Sequence, residues 1–403
     1  MFNMLNKFRI PKKFLIPSIV LTSFSLLFVK IKTKSKFNNV LQCKSNENDS
    51  NQNSSENKPF HYHEEISGGS FHLKTSSGSP TDISYVTHTA NDPIEDRYNL
   101  TQLNSIPGGG VYLAVFDGHG GFQMSEYANS RLHKVINEKF AELYQGSSSN
   151  KNITELTTEA IKQGFAKVEQ EFYNFGLNQY RSGNGRLATV GSCALVAIIL
   201  EKEIIIANLG DSKAKLYKKI SDKEYSPIRV MDRHNSEKPK EIEKLRKNFP
   251  NDSDIVVCKR PNMKVCYVKG RLQPTRSFGD FHLKYKEFNE NTNDSNSMYY
   301  RKSIKNFNGP YISAEPEIRV FDYSKGDLLV LATDGLWDEM NTKEIFEVMN
   351  KDLTSNLANN LLYEALSKAA NNIGYSVEQL NEMAPGGRKR RIHDDITIIV
   401  AKL

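Results

Sequence analysis

Cysteine is scarce in this chain, and its positions argue against two common ways of stabilising a fold. The 403 residues contain four cysteines, with no CxxC pair and no histidine at the spacing of a zinc site. We therefore expect neither a zinc centre nor a disulfide framework, and a reducing compartment is the default expectation. Cys193 lies within an apolar segment and is predicted to be a small residue of the core.

An excess of one charge is also missing from most of the chain, although the formal net charge is +7. Nine of the 54 Lys and Arg residues precede the first acidic residue, Glu47. From Ser45 onward, 45 basic residues face 47 acidic ones, which gives a net charge of −2. The body of the protein therefore lacks the basic footprint of a nucleic-acid-binding protein.

Long hydrophobic runs are lacking as well, and a short one lies near the N-terminus. Residues 14–29 are sixteen uncharged residues with lysines on both sides, whereas a membrane-spanning helix needs about 17–25 residues. Residues 1–40 are predicted to be a leader of one of two kinds. It is either a membrane anchor or secretory-type leader, associating with the membrane through residues 14–29, or a mitochondrial or other organelle presequence. Residues 41–59 are predicted to be a disordered linker rich in Asn and Ser.

Residues 60–403 have the patterning of a folded body, which we interpret as a catalytic domain. Apolar runs predict strands over residues 111–116, 189–200, 203–218, 327–333 and 396–402. Apolar residues at helical spacing predict helices over residues 122–144, 154–176, 238–248, 342–352 and 356–372. Strands interleaved with pairs of long helices favour a layered α+β domain over a strict βαβ repeat.

Several carboxylates lie where apolar strands are predicted to end or begin. Asp117 follows strand 111–116 in the run Val-Phe-Asp-Gly-His-Gly-Gly, and Asp334 likewise follows a strand and precedes a glycine. Asp394 opens the last strand, and Glu95 lies in a short acidic loop. Each of these patterns alone is also typical of an ordinary turn. Together they favour a metal centre, and oxygen-only ligands suit Mg²⁺ or Mn²⁺, with two ions able to bind phosphate and activate water.

The order of these motifs resembles the metal-dependent PPM-type (type 2C) protein serine/threonine phosphatases, over residues 60–403. The motifs that carry the resemblance are Glu95-Asp96, residues 115–121, Gly191-Ser192, residues 208–212, residues 276–280, Asp334-Gly335 and Asp394. The resemblance implies a four-layer α-β-β-α sandwich, in which two antiparallel sheets are flanked by helix pairs. It also implies a monomeric enzyme that acts on phosphoprotein substrates.

The same resemblance implies a ligand set for two Mg²⁺ or Mn²⁺ ions. Asp117 should bridge the two metals, and the carbonyl oxygen of Gly118 should complete the coordination of one of them. Glu95 should bind that same metal, directly or through water. Asp334 and Asp394 should hold the other metal.

Two further residues have catalytic roles that the resemblance implies. Asp96 should orient the attacking water, and His119 should act as general acid for the leaving Ser or Thr oxygen. Asp211 and Ser212, in contrast, are predicted to form a structural turn between paired strands.

Finer motifs at residues 91–97, 270–280 and 310–316 resemble the branch of the pyruvate dehydrogenase phosphatase catalytic subunits. Asn91 stands where many family members have an Arg that grips the substrate phosphate, so an amide or another base should hold the phosphate here. Ala188 stands where many members have an Asp of a third, weaker metal site, so that site is not predicted as normally built.

A basic run at residues 386–391, Gly-Gly-Arg-Lys-Arg-Arg, lies just before Asp394. Three readings stay open for it: a solvated loop, an attraction for phosphorylated substrate, or a mimic of a nuclear signal.

Overall fold

The computed structural model describes residues 66–74, 80–146, 152–183, 185–221, 224–259, 265–289, 303–351, 353 and 356–403. These residues belong to one compact unit, which spans His61–Leu403. The predicted leader, residues 1–40, and the predicted linker, residues 41–59, lie outside the described residues. Among the described residues, no helix has the length and apolar character needed to cross a membrane.

The strands fall into two large antiparallel sheets and one small hairpin. In chain order they are β1 (Ile66–Lys74), β2 (Pro80–His88), β3 (Arg97–Leu103), β4 (Gly110–His119), β5 (Gly191–Ile199), β6 (Glu203–Leu209), β7 (Lys213–Ser221), β8 (Glu224–Arg229), β9 (Val256–Cys258), β10 (Cys266–Val268), β11 (Phe278–Gly279), β12 (Glu317–Asp322), β13 (Leu328–Ala332) and β14 (Ile396–Lys402). The first sheet has the order β1-β2-β14-β13-β7-β8. The second has the order β12-β6-β5-β4-β3, with β11 paired to β5, and β9 pairs with β10 alone.

Helices cover the outer faces of both sheets. The α-helices of the described residues are α1 (Gln123–Gln145), α2 (Ile153–Arg181), α3 (Pro239–Asn248), α4 (Phe281–Lys284), α5 (Asp334–Glu339), α6 (Thr342–Lys351), α7 (Leu357–Asn371) and α8 (Val377–Asn381). Helices α1 and α2 pack against each other and against the second sheet, whereas α7 packs on β2 and β14 of the first sheet and contacts α5 and α6. The expected four-layer α-β-β-α sandwich is confirmed.

The side-chain alternation of β4 explains how the layers are held together. Leu113 and Val115 point into the core between the two sheets. Ala114 and Phe116 point the other way, into the core that the second sheet shares with α1 and α2. Successive side chains of a strand face opposite sides, so an uninterrupted apolar run is what a strand buried on both faces requires. This strand carries Asp117 at its end.

The predicted strand over residues 203–218 is two strands, and the break positions the site. The chain leaves β6 in the second sheet, turns at residues 210–212 and enters β7 in the first sheet. Gly210 has a φ of +120°, a backbone conformation that residues with a Cβ rarely adopt. Asp211 therefore lies in the turn that connects the two sheets.

A disulfide joins Cys258 to Cys266, whereas the spacing of the cysteines predicted no disulfide framework. The two residues lie directly opposite each other in the β9–β10 hairpin, a pairing that cysteine spacing alone does not reveal. The bond closes a local loop and ties no distant parts of the fold together. Cys193 is a free, buried cysteine, as predicted.

Candidate active site

Three carboxylates from different elements meet where the two sheets come together. Asp117 lies near the end of β4, Asp211 lies in the turn between β6 and β7, and Asp334 is the first residue of α5 after β13. One carboxylate oxygen from each of the three residues lies within 4.8 Å of those of the other two. The structure therefore unites two of the predicted ligands, Asp117 and Asp334, with Asp211, for which the sequence predicted a purely structural turn.

Two glycines that follow these carboxylates allow the other acidic segments to approach. A Cβ on Gly118 would lie 2.4 Å from the carbonyl oxygen of Glu95, and a Cβ on Gly335 would lie 2.2 Å from that of Asp395. Contacts this short with backbone atoms would force the chain apart. The glycine of each Asp-Gly pair thus lets a second acidic segment lie against the end of a strand: the Glu95 segment at Gly118 and the Asp395 segment at Gly335.

The loop that carries Glu95 is held by Asp395, which is buried. One carboxylate oxygen of Asp395 accepts hydrogen bonds from the backbone N–H groups of Ala90 (2.7 Å) and Asn91 (2.8 Å). The other oxygen accepts from the backbone N–H of Glu95 (2.8 Å) and from the side-chain amide of Asn91 (3.0 Å). Asp395 was not among the predicted site residues, because its role in fixing the loop depends on contacts some 300 residues apart along the chain.

Asp96 is buried, and its charge adds to the rise in the pKa of Asp117. The hydroxyl of Thr333 donates a hydrogen bond of 2.9 Å to its carboxylate. Burial raises the pKa of Asp96 well above its usual value, and the negative charge of Asp395 adds to this effect.

His119 is paired with Asp280, a residue that the sequence analysis did not assign to the site. The imidazole Nε2 lies 2.6 Å from Oδ2 of Asp280, and that oxygen also accepts a 2.7 Å hydrogen bond from the hydroxyl of Ser277. Although burial alone would lower the pKa of His119, the Asp280 carboxylate outweighs it and raises that pKa above 6.5. A Cβ on Gly191 would collide with both partners, so a residue without a side chain is needed beside the pair.

The acidic groups raise one another's pKa values. For Asp117 and Asp334 the main cause is burial. The charge of Asp334 adds to it at Asp117, and the charge of Asp211 adds to it at Asp334. Burial also raises the pKa of Glu95 to about 6 and that of Asp394 to about 6. Mutual repulsion of this kind is relieved by protons or by cations.

Two arginines touch the rim of this acidic group. Nη2 of Arg390 lies 2.5 Å from Oδ2 of Asp394. Nη2 of Arg233 lies 3.7 Å from Oδ2 of Asp334, and its Nη1 lies 3.2 Å from Oδ1 of Asp338. The side chain of Arg390 is 46% exposed, whereas that of Arg233 is 18% exposed.

Comparison with known proteins fits this arrangement. The sequence model of the family described as "Protein phosphatase 2C" matches residues 84–374. This chain belongs to the protein phosphatase 2C family. Probable protein phosphatase 2C 79 of Arabidopsis thaliana is 31% identical over 327 residues, covering 79% of this chain and 80% of the relative. Probable protein phosphatase 2C 78 of Oryza sativa subsp. japonica is 31% identical over 335 residues, covering 83% of this chain and 80% of the relative.

The fold has a solved counterpart. The serine-threonine phosphatase 2C from Toxoplasma gondii matches with a TM-score of 0.55 and 16% sequence identity, covering 83% of this chain and 98% of that chain. As a member of the protein phosphatase 2C family, the chain is a phosphoprotein phosphatase and hence a hydrolase. The family's metal dependence agrees with the acidic cluster of Asp117, Asp211 and Asp334.

Most residues predicted for the phosphatase site lie around this cluster. Asp394 is near enough for its charge to raise the pKa of both Asp117 and Asp334, and the charges of Asp394 and Asp395 help to raise that of Glu95. Glu95 and Asp394 are outside the 4.8 Å set, and Asp211 is inside it. The motif that contains Asp211 was recognised in the sequence, but a polar residue after a positive-φ glycine is also typical of an ordinary turn.

Proposed function

We propose that this phosphatase hydrolyses phosphoserine and phosphothreonine in proteins by direct attack of water, with two Mg²⁺ or Mn²⁺ ions in the site. The observation that carries the proposal is the convergence of Asp117, Asp211 and Asp334, from three separate elements, within 4.8 Å. A fold does not gather mutually repelling carboxylates in this way without a compensating partner.

The side chains fit hard divalent cations, because the donors are carboxylate oxygens and a backbone carbonyl. We assign the metals to Glu95, Asp117, the carbonyl of Gly118, Asp334 and Asp394. When bound, such ions offset the charge of the phosphoryl oxygens and lower the pKa of water so that it can act as the nucleophile. Asp211 lies within 4.8 Å of Asp117 and Asp334, and the side-chain amide of Asn235 holds its carboxylate with a hydrogen bond of 2.7 Å.

The chain's own proton chemistry rests on His119 and Asp96. Asp280 holds the imidazole of His119 and favours its protonated form, so His119 can donate a proton to the leaving Ser or Thr oxygen. Asp96, oriented by the Thr333 hydroxyl, is positioned to accept a hydrogen bond from the attacking water. Expulsion of the alcohol then needs no covalent enzyme intermediate.

The decisive experiment measures phosphate release from a phosphothreonine peptide with and without Mn²⁺. We expect metal-dependent release by the wild type and a loss of at least about 100-fold in kcat for Asp334→Asn, because a charged ligand is replaced by a neutral amide. Asp322→Asn, at an exposed position on β12, is the matched control and should keep the wild-type rate. Equal, metal-independent rates in wild type and Asp334→Asn would overturn the mechanism.

The substrate and compartment form a further part of the proposal. The branch resemblance of residues 91–97, 270–280 and 310–316 makes a dehydrogenase complex a candidate substrate. The leader, residues 1–40, is proposed to direct the protein either to a membrane through residues 14–29 or to mitochondria or another organelle, where it would act as a monomer. The location of a fluorescent reporter fused to residues 1–40 tests the proposed compartment. Fluorescence in mitochondria would favour a dehydrogenase complex as substrate, whereas fluorescence at a membrane would count against that substrate.

A further inference from the structure

The basic run at residues 386–391 lies beside the acidic site, and the proposed mechanism leaves its role open. We propose that Arg390 is the residue that binds the substrate's phosphate group; this inference rests on the proposed phosphatase function. From the sequence, an amide or another base was expected to hold the phosphate in place of the Arg that Asn91 replaces; here that base is the guanidinium of Arg390.

The loop is anchored to the segment that carries Asn91 and Glu95. The backbone N–H of Gly386 donates to the carbonyl of Ala90 (2.7 Å), and that of Arg390 donates back to the carbonyl of Gly386 (2.9 Å). Lys389, whose side chain is fully buried, fixes the middle of the turn. The run is therefore a docked turn with one buried basic residue, and not a freely solvated loop.

The short 3-10 helix Lys389–Arg391 ends just before the segment that carries Asp394, and the Arg390 side chain forms an ion pair with that carboxylate. The guanidinium lies 2.5 Å from the Asp394 carboxylate. Arg390 thus stands at the corner of the site that Asp394 forms, on a turn whose first residue, Gly386, is bonded to the backbone of Ala90. A guanidinium has five N–H donors, so contact with one carboxylate leaves donors for a phosphate, which guanidinium binds in a bidentate manner.

The other candidates near this corner are engaged elsewhere or less accessible. The side-chain amide of Asn91 donates to Asp395 at 3.0 Å and carries no charge to attract a phosphate. Arg233 is only 18% exposed and spans Asp334 and Asp338. Arg390 is 46% exposed, so its guanidinium is more open to solvent than that of Arg233.

The test compares Arg390→Ala, Arg390→Lys and Arg391→Ala in the full chain at saturating Mn²⁺. Two substrates are used, a phosphothreonine peptide and p-nitrophenyl phosphate, and inorganic phosphate serves as inhibitor. We expect Arg390→Ala to raise KM for both substrates by on the order of 10- to 100-fold, the range expected for a charged hydrogen bond, with a smaller change in kcat. The inhibition constant of inorganic phosphate should rise by a similar factor, and Arg390→Lys should recover part of the loss because charge is kept but the bidentate fork is not.

Arg391→Ala removes the same charge from the next, also exposed, position and should stay within about twofold of wild type, since it lacks the contact to the site. Equal losses in both alanine variants would overturn the assignment in favour of general loop charge. Unchanged KM and phosphate inhibition in Arg390→Ala would overturn it too, as would a loss that more Mn²⁺ restores, because the residue would then act through Asp394. Thermal unfolding shows whether Arg390→Ala is misfolded. If it is, Arg390→Lys replaces it in the test, and wild-type KM and phosphate inhibition in Arg390→Lys would overturn the assignment. A wild type without phosphate release overturns the proposed function, and this inference falls with it.

Discussion

At the scale of single residues, the pairing of His119 with Asp280 governs the proton that the leaving alcohol needs. Asp280 is buried and keeps its pKa low, because His119 and the Ser277 hydroxyl outweigh its desolvation. A buried carboxylate beside an imidazole stabilises the imidazolium form. His119 therefore stays protonated, and able to donate that proton, at pH values above the ordinary pKa of a histidine side chain.

Replacing Asp280 with Asn should shift the alkaline limb of the pH–rate profile to lower pH. The amide removes the negative charge that raises the pKa of His119, so less of the protonated form remains at a given alkaline pH. We expect kcat at pH 8 to fall by on the order of tenfold or more, within the range of general acid catalysis. Measurement of kcat from pH 6 to 9 checks this, with His119→Gln as the reference that lacks the acid altogether. An alkaline limb that Asp280→Asn leaves in place would contradict the role given to the pair.

At the scale of elements, the site is assembled by the ends of strands and by the close contacts between them. Helix α5 begins at Asp334, and Gly335 in its first turn faces the backbone of Asp395. The segment before β14 can therefore lie directly against the start of α5. This contact joins the two elements that carry the predicted ligands Asp334 and Asp394.

Gly335→Ala should separate these two elements. The new Cβ would lie 2.2 Å from the Asp395 carbonyl oxygen, and relieving that overlap should lower the free energy of unfolding by about 1–3 kcal/mol and move Asp394 away from Asp334. Phosphatase activity should fall at least about tenfold. Gly185→Ala is the control, since a Cβ there has no neighbour within 4 Å, and it should change stability by less than about 0.5 kcal/mol. Equal effects of the two substitutions, by urea unfolding and by phosphate release, would refute the argument.

The elements also show where sequence reasoning works and where it stops. Apolar runs identified β4, β13 and β14, because strands buried on both faces carry a continuous signal. The edge strand β12 mixes charged and apolar residues and is largely exposed on its outer face, so no run marked it. The break between β6 and β7 depends on one glycine with positive φ, inside a stretch whose residues otherwise predict one continuous strand.

The same limit applies to the site. Asp117 and Asp334 could be predicted because several carboxylates occur where apolar strands end or begin, although any one of them alone is also typical of an ordinary turn. Asp280 could not be predicted as the partner of His119, since the pair is separated by 161 positions along the chain. Local sequence shows which residues have suitable chemistry, and only the packing of β11 against β5 brings this pair together.

At the scale of the whole molecule, the acidic site makes the stability of the fold depend on cations and on pH. Glu95 and Asp394 have pKa values of about 6 in the folded protein, raised from 4.5 and 3.8. Between those ordinary values and pH 6 the folded state therefore binds more protons than the unfolded state. Stability is lost as pH rises through this window, because the folded state then holds repelling charges.

In the presence of a chelator, this repulsion should lower the unfolding temperature of the wild type relative to Asp334→Asn, and by more at pH 7.5 than at pH 5.5. The wild type alone does not isolate the effect, because burial lowers the pKa of His88 and His393 and so removes stability below pH 6.5 in both proteins. Adding Mn²⁺ at pH 7.5 should stabilise the wild type, since a ligand that binds only the folded state at 100 times its Kd contributes about 2.7 kcal/mol. Asp334→Asn removes one repelling charge and one ligand, so it should unfold at a higher temperature than wild type in chelator and gain less from Mn²⁺. Thermal unfolding of both proteins at the two pH values, with chelator and with Mn²⁺, measures the effect of the repelling charges and that of the metal. A wild type that Mn²⁺ does not stabilise, or a variant that gains as much as the wild type, would mean that the gathered carboxylates are held for some purpose other than binding metal.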